Sequence, residues 1–119
     1  MRATLLLLAI ILCGCSEEPA KLAEAVGGSP HKGRSAIDHY GCASCHTIPG
    51  NDGANATVGP PLDRMGSRTY IGGVIHNNPP NMLRWLKNPP GVDPMTAMPN
   101  LNITDSDARD IAAYLYTLR

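Results

Sequence analysis

The sequence predicts an all-α, loop-rich domain of about four helices, and three observations carry that expectation. Helix-start signals recur at Ser29-Pro30, Asn78-Pro79 and Thr104, each a polar cap residue and two followed by proline at the first helical position. Near the C-terminus, Ile111, Leu115 and Leu118 recur three and four apart on one helical face. No segment shows the two-residue alternation of a half-buried strand, and no internal repeat is evident.

Each element follows from local chemistry. The first helix is expected from Ser29-Pro30 to Tyr40, stopping at Gly41, a residue suited to the left-handed position that closes many helices. Residues 47–62 are rich in Gly, Pro and Asn and read as a long loop. Such loops inside a compact domain are usually functional. A short helix is expected around Ser67–Val74, weakened by Gly72-Gly73. The next runs from Asn78-Pro79 to Asn88-Pro89, and residues 89–102 form a second loop. Thr104 caps the last helix, with Asp105 and Asp107 in its first turn, where negative charge suits the helix dipole. Tyr114 lies beside its apolar stripe.

At 119 residues the chain is one domain. It carries one Trp, four Tyr and no Phe, a thin supply of large apolar side chains. A core that poor needs a staple. Formal charge is zero, so no strong field recruits nucleic acid or an acidic membrane surface.

The staple is legible in Cys42-Ala43-Ser44-Cys45-His46. Two thiols three residues apart, followed at once by histidine, form the attachment signature of c-type haem. Each thiol adds to one vinyl group of the porphyrin, and His46 is placed to reach the iron as proximal ligand. Half of a zinc site is the competing reading, but zinc needs a fourth donor and no second Cys pair or HxxxH follows. With haem as part of the core, the haem-free chain is expected to be largely unfolded.

The N-terminus agrees with an exported haem protein, because bacterial c-type haem is attached outside the cytoplasmic membrane. Met1-Arg2 precedes ten residues, Ala3 to Leu12, that are apolar apart from Thr4. That run is shorter than the roughly 20 residues of a membrane span and has the layout of a secretory leader. Leu12-Cys13-Gly14-Cys15 resembles the bacterial lipobox, in which cleavage precedes an acylated final Cys. This divides the chain into a signal peptide at 1–14, an acylated Cys15 with a flexible tether at 15–29, and a haem domain at 30–119. Loss of the leader, with Arg2, leaves nine basic and ten acidic side chains. The tether, SEEPAKLAEAVGGS, would span roughly 20 Å as a coil of 14 residues; a short helical turn through Lys21–Val26 is the alternative, with no apolar face to support it.

From Gly33 to Leu118 the chain resembles class I cytochromes c. Gly33 with Ile37, and Tyr114-Leu115, match the positions where the family's first and last helices cross; the family usually has an aromatic where Ile37 stands. Gly59-Pro60-x-Leu62 matches the turn whose Pro60 carbonyl would accept a hydrogen bond from the proximal His46 ring. Leu83-x-Trp85-Leu86-x-Asn88-Pro89 and Thr96-x-Met98-Pro99 resemble the distal half. The resemblance implies that Met98 is the axial thioether ligand, that Trp85 lies against the haem, and that Thr96 bonds a propionate. Gly66-Ser67-Arg68 resembles the cytochrome domain fused to subunit II of haem–copper oxidases, where the Arg pairs with a propionate. No copper-binding segment precedes the haem segment, so a free-standing membrane-tethered relative is expected rather than the oxidase subunit itself. Met65, Met82 and Met95 are expected to be core or loop fillers, Met95 being the rival to Met98. His31, His39 and His76 are expected to be exposed and unligated.

The function implied is one-electron transfer through a closed, His/Met-ligated haem c. The donor would be quinol-side or a dehydrogenase, and the acceptor a terminal oxidase or reductase, at the periplasmic membrane surface. Contacts of that kind are weak and transient. A permanently docked haem subunit of a dehydrogenase or oxidase complex, and a peroxidase-like enzyme with a labile Met98, are the competing readings.

Overall fold

A computed structural model gives the architecture and describes residues 18–119. The expected leader and the Leu12–Cys15 segment lie outside the described residues. Five helices follow in order: α1 (Glu18–Ala25), α2 (Pro30–His39), α3 (Pro79–Lys87), α4 (Pro89–Val92) and α5 (Asp105–Thr117). Single 3₁₀ turns occupy Cys42–Ser44 and Met65–Ser67. None of the helices described is long and apolar enough to cross a membrane.

The three capped helices form where their caps predict. The Ser29 side chain accepts from Lys32 N–H at 3.3 Å, Asn78 from Asn81 N–H at 3.0 Å, and Thr104 from Asp107 N–H at 3.1 Å. Each bond satisfies one N–H that a helix start leaves without a partner. Gly41, at φ +71, turns the chain out of α2.

α2 and α5 cross at backbone contact. A Cβ on Gly33 would stand 1.9 Å from the Asp110 carbonyl oxygen, so only glycine permits this approach. Gly28, in the link just before α2, repeats the arrangement, a Cβ there standing 2.1 Å from the Arg109 carbonyl oxygen. Ile37, Ile111 and Leu115 are buried beside the crossing, and Tyr116 on α5 is fully buried.

Three expectations are corrected. The segment read as a flexible tether is helical from Glu18 to Ala25 and packs against α5. Its apolar face is Pro19, Leu22, Ala23 and Val26, spaced as one helical stripe, with Val26 only 1% exposed. Arg109 Nη1 donates to the Val26 carbonyl at 3.1 Å and Ser29 N–H to Asp110 Oδ1 at 2.7 Å, which seals the junction.

The short helix expected around Ser67–Val74 is replaced. After the Met65–Ser67 turn, β1 (Tyr70–Ile71) and β2 (Ile75–His76) pair antiparallel, Tyr70 opposite His76 and Ile71 opposite Ile75. Gly72 and Gly73 sit at φ +57 and +75, left-handed positions that glycine takes without cost in the three-residue connection between Ile71 and Ile75. The glycines that weaken a helix here make a turn. The second expected loop is also more ordered at its start, where Asn88 caps the four-residue α4 by accepting from Gly91 N–H at 3.2 Å.

Candidate haem site

α2, α3, α5 and the loops between them surround a largely apolar cavity of about 490 Å³. Gly41 and the Cys42–Ser44 turn deliver one wall. The Cys42 carbonyl accepts from both Cys45 N–H (3.2 Å) and His46 N–H (3.1 Å), a tight turn that brings Cys42, Cys45 and His46 to the same cavity. Cys42 and Cys45 form no disulfide with each other. Burial pushes the Cys42 thiol above its ordinary pKa, with the charges of Asp38 and Cys45 adding to the rise and a backbone hydrogen bond opposing it.

The long loop returns to brace His46. Gly59 N–H donates to the Cys45 carbonyl at 2.7 Å and Leu62 N–H to the Thr47 carbonyl at 2.9 Å, laying residues 59–62 along the 45–47 segment. In consequence Pro60 O lies 2.6 Å from His46 Nδ1. A carbonyl only accepts, so Nδ1 carries the proton and Nε2 keeps its lone pair for a metal. Gly59 packs under the same ring, where a Cβ would stand 2.5 Å from Cε1.

The opposite side comes from α3 and the loop after α4. Trp85 lines the cavity, and its ring edge rests on Gly72, where a Cβ would meet Cη2 at 2.6 Å. Thr96 Oγ1 accepts from Met98 N–H at 3.2 Å, and both residues line the cavity. Met95 does not line it and is 91% exposed. Arg68 reaches the cavity wall with Nη2 donating to Pro61 O at 2.6 Å and to Asp63 Oδ1 at 3.0 Å.

All eight site residues expected from the sequence in residues 42–98 therefore border one cavity. Met65 and Met82, expected as fillers, are buried and line it as well. His31, His39 and His76 are exposed and outside it. Asn77 and Tyr116, which sequence reasoning passed over, stand behind the wall formed by Met65–Arg68. A lone Asn carries no sequence signal, but Tyr116 lies five residues after Ile111 on a helix whose buried arc could have been drawn wider.

The donors suit haem. Two thiols sit beside an imidazole with a free Nε2, and a soft thioether shares the cavity, the set that covalent attachment and axial ligation of haem iron require. They do not converge as a closed tetrahedral zinc site would: among the described residues no three His, Cys, Asp or Glu side chains are placed to hold a metal ion.

A helical shell around an apolar cavity edged by that donor set defines a haem protein of the c type. The Cytochrome c family model matches residues 31–119, and the chain belongs to that family as a class I c-type cytochrome, a haem-based electron-transfer protein. Two relatives are the cytochrome c oxidase subunit 2 of Alkalihalophilus pseudofirmus, 27% identical over 101 residues, and that of Bacillus subtilis, 30% identical over 92. These matches cover 84% and 74% of this chain but 29% and 26% of the relatives, so the chain spans less than a third of their length. No solved structure matches the chain significantly.

Proposed function

We propose that the protein is a one-electron carrier holding a single haem c, attached through Cys42 and Cys45 and ligated by His46 and Met98. The observation that supports this most directly is that His46 and Met98 border the same apolar cavity while Met95 stands outside it. When bound, the haem supplies an iron that changes charge by one unit. Pro60 holds the His46 ring in one tautomer and orientation, with Nε2 left free to ligate. The apolar walls, Trp85, Met82 and Leu86 among them, exclude water. Thr96 and Arg68 would meet the propionates at the rim.

The protein would work at the periplasmic face of a bacterial membrane, anchored by an acylated Cys15. Its donor would be quinol-side or a dehydrogenase, and its acceptor a terminal oxidase or reductase. The kinship with oxidase subunits favours the oxidase. It equally supports a second reading, a permanently docked haem subunit of such a complex.

Holoprotein purified from membranes tests the proposal. The oxidised form should show the Fe(III)–thioether charge-transfer band and refuse exogenous ligands, and the haem should stay with the polypeptide in acid–acetone. An open iron in the wild type would defeat the carrier reading. A chain that leaves the membrane only with oxidase subunits would select the docked one. Cys15→Ser should release haem protein into the soluble periplasm.

A further inference from the structure

Asn77 is tied on three sides. Its Nδ2 donates to the carbonyls of Met65 (2.7 Å) and Arg68 (2.9 Å), its Oδ1 accepts from Tyr116 Oη (3.0 Å), and its backbone N–H donates to the Thr69 carbonyl (2.9 Å). Two carbonyls that only accept, and a hydroxyl that donates, leave one orientation for the amide. Burial raises the Tyr116 phenol well above its ordinary pKa, so it remains a donor. The segment gripped in this way carries Met65 and Arg68, both on the cavity wall. The Arg68 guanidinium in turn donates to Pro61 O, and the preceding carbonyl, that of Pro60, is the one that holds His46. The bonded run passes without a break from the buried face of α5 to the turn beside the imidazole.

From this run we propose that Asn77 and Tyr116 are positioning residues: they fix the Met65–Arg68 wall so that Arg68 braces the Pro60-Pro61 turn and, through it, the His46 ring. The inference rests on His46 as the axial ligand. Neither residue touches the cavity. Their effect is to keep the Pro60 carbonyl at bonding distance from Nδ1, which holds the imidazole in one orientation and tautomer.

The test uses full-length holoprotein carrying Tyr116→Phe or Asn77→Asp, with Asn81→Ala as control, since the Asn81 side chain bonds only the His76 carbonyl and the Arg84 guanidinium, both away from the Met65–Arg68 wall. Two readouts are taken: the solvent-exchange rate of the His46 Nδ1 proton by NMR in the reduced state, and the midpoint potential. Both test variants should exchange that proton several-fold faster and shift the potential, while Asn81→Ala matches the wild type. If they lower only the thermal midpoint and leave proton exchange and potential unchanged, their role is structural and the proposal is overturned. An effect in Asn77→Asp alone removes Tyr116 from the assignment. Should Asn77→Asp not fold, Tyr116→Phe, which deletes one hydroxyl, decides alone. Failure of the underlying haem reading would show separately, as a wild type without a low-spin His-ligated spectrum.

Discussion

The backbone of Gly33 meets that of Asp110 with no room for a side chain, a Cβ at Gly33 falling 1.9 Å from the Asp110 carbonyl oxygen. Gly33→Ala must therefore push α2 off α5. Neither backbone can rotate away, so the cost should reach the upper end of overpacking, about 3 kcal/mol or more. Gly53→Ala is the control, since the nearest atom to its Cβ would be Asn51 Oδ1 at 3.8 Å. It should stay within about 0.5 kcal/mol of the wild type. Denaturant midpoints of the two holoproteins provide the comparison.

A methyl group at Gly59 would strike the His46 ring rather than a backbone. Gly59→Ala should fold, with the ring displaced from the Pro60 carbonyl. The expected signature is a loss of six-coordinate low-spin haem in the absorption spectrum, larger than any loss of thermal stability. An unchanged spectrum would show that the ring has space the structure does not give it.

Met98 and Met95 occupy the same loop and differ in placement. Met98→Ala should abolish the thioether band, admit exogenous ligands, lower the midpoint potential and raise peroxidase side activity. Met95→Ala, at a position 91% exposed, should retain the band and alter stability by less than about 0.5 kcal/mol. Loss of the band in Met95→Ala alone would transfer the ligand role to Met95.

Acid should loosen the start of α5. Tyr40 and Thr104 bond the Asp107 carboxylate and hold its pKa below the ordinary value, and Lys87 does the same for Asp105. For a carboxyl whose folded pKa is depressed, the stabilisation is present above the unfolded pKa and is lost as pH falls through the folded one. The wild type should thus lose stability below the ordinary carboxylate range, and Asp107→Asn should lose less over that interval. The Lys87–Asp105 part is exposed and should fade with added salt. Chemical denaturation from neutral to acidic pH, at low and high salt, measures both effects.

How much of this was legible in the sequence depends on how local the signal is. Ser29, Asn78 and Thr104 announce their helices because a cap satisfies neighbouring N–H groups within three residues. The haem motif and the Gly59-Pro60 turn are short strings and could be read directly. Helix α1 shows in the sequence as no more than a possible short turn, because its stripe of Pro19, Leu22, Ala23 and Val26 is small and gains its value only against α5. The hairpin was missed because Gly72-Gly73 looks the same whether it spoils a helix or closes a turn. Asn77 was invisible for a third reason: its partners at Met65, Arg68 and Tyr116 are up to 39 residues away, and only the folded chain brings them together.

Docking of α1 changes how the protein would be moored. A coil from Cys15 to Ser29 would let the haem domain roam over a wide dome above the bilayer. With α1 seated on α5, only Ser16 and Glu17 would separate the proposed acylated Cys15 from Glu18, a reach of at most about 11 Å. On the proposed anchor, such a mooring would hold the domain at one altitude. Its search for partners would become a lateral glide, and a partner whose entry port stands much higher above the lipid would go unvisited, however well its surface fits.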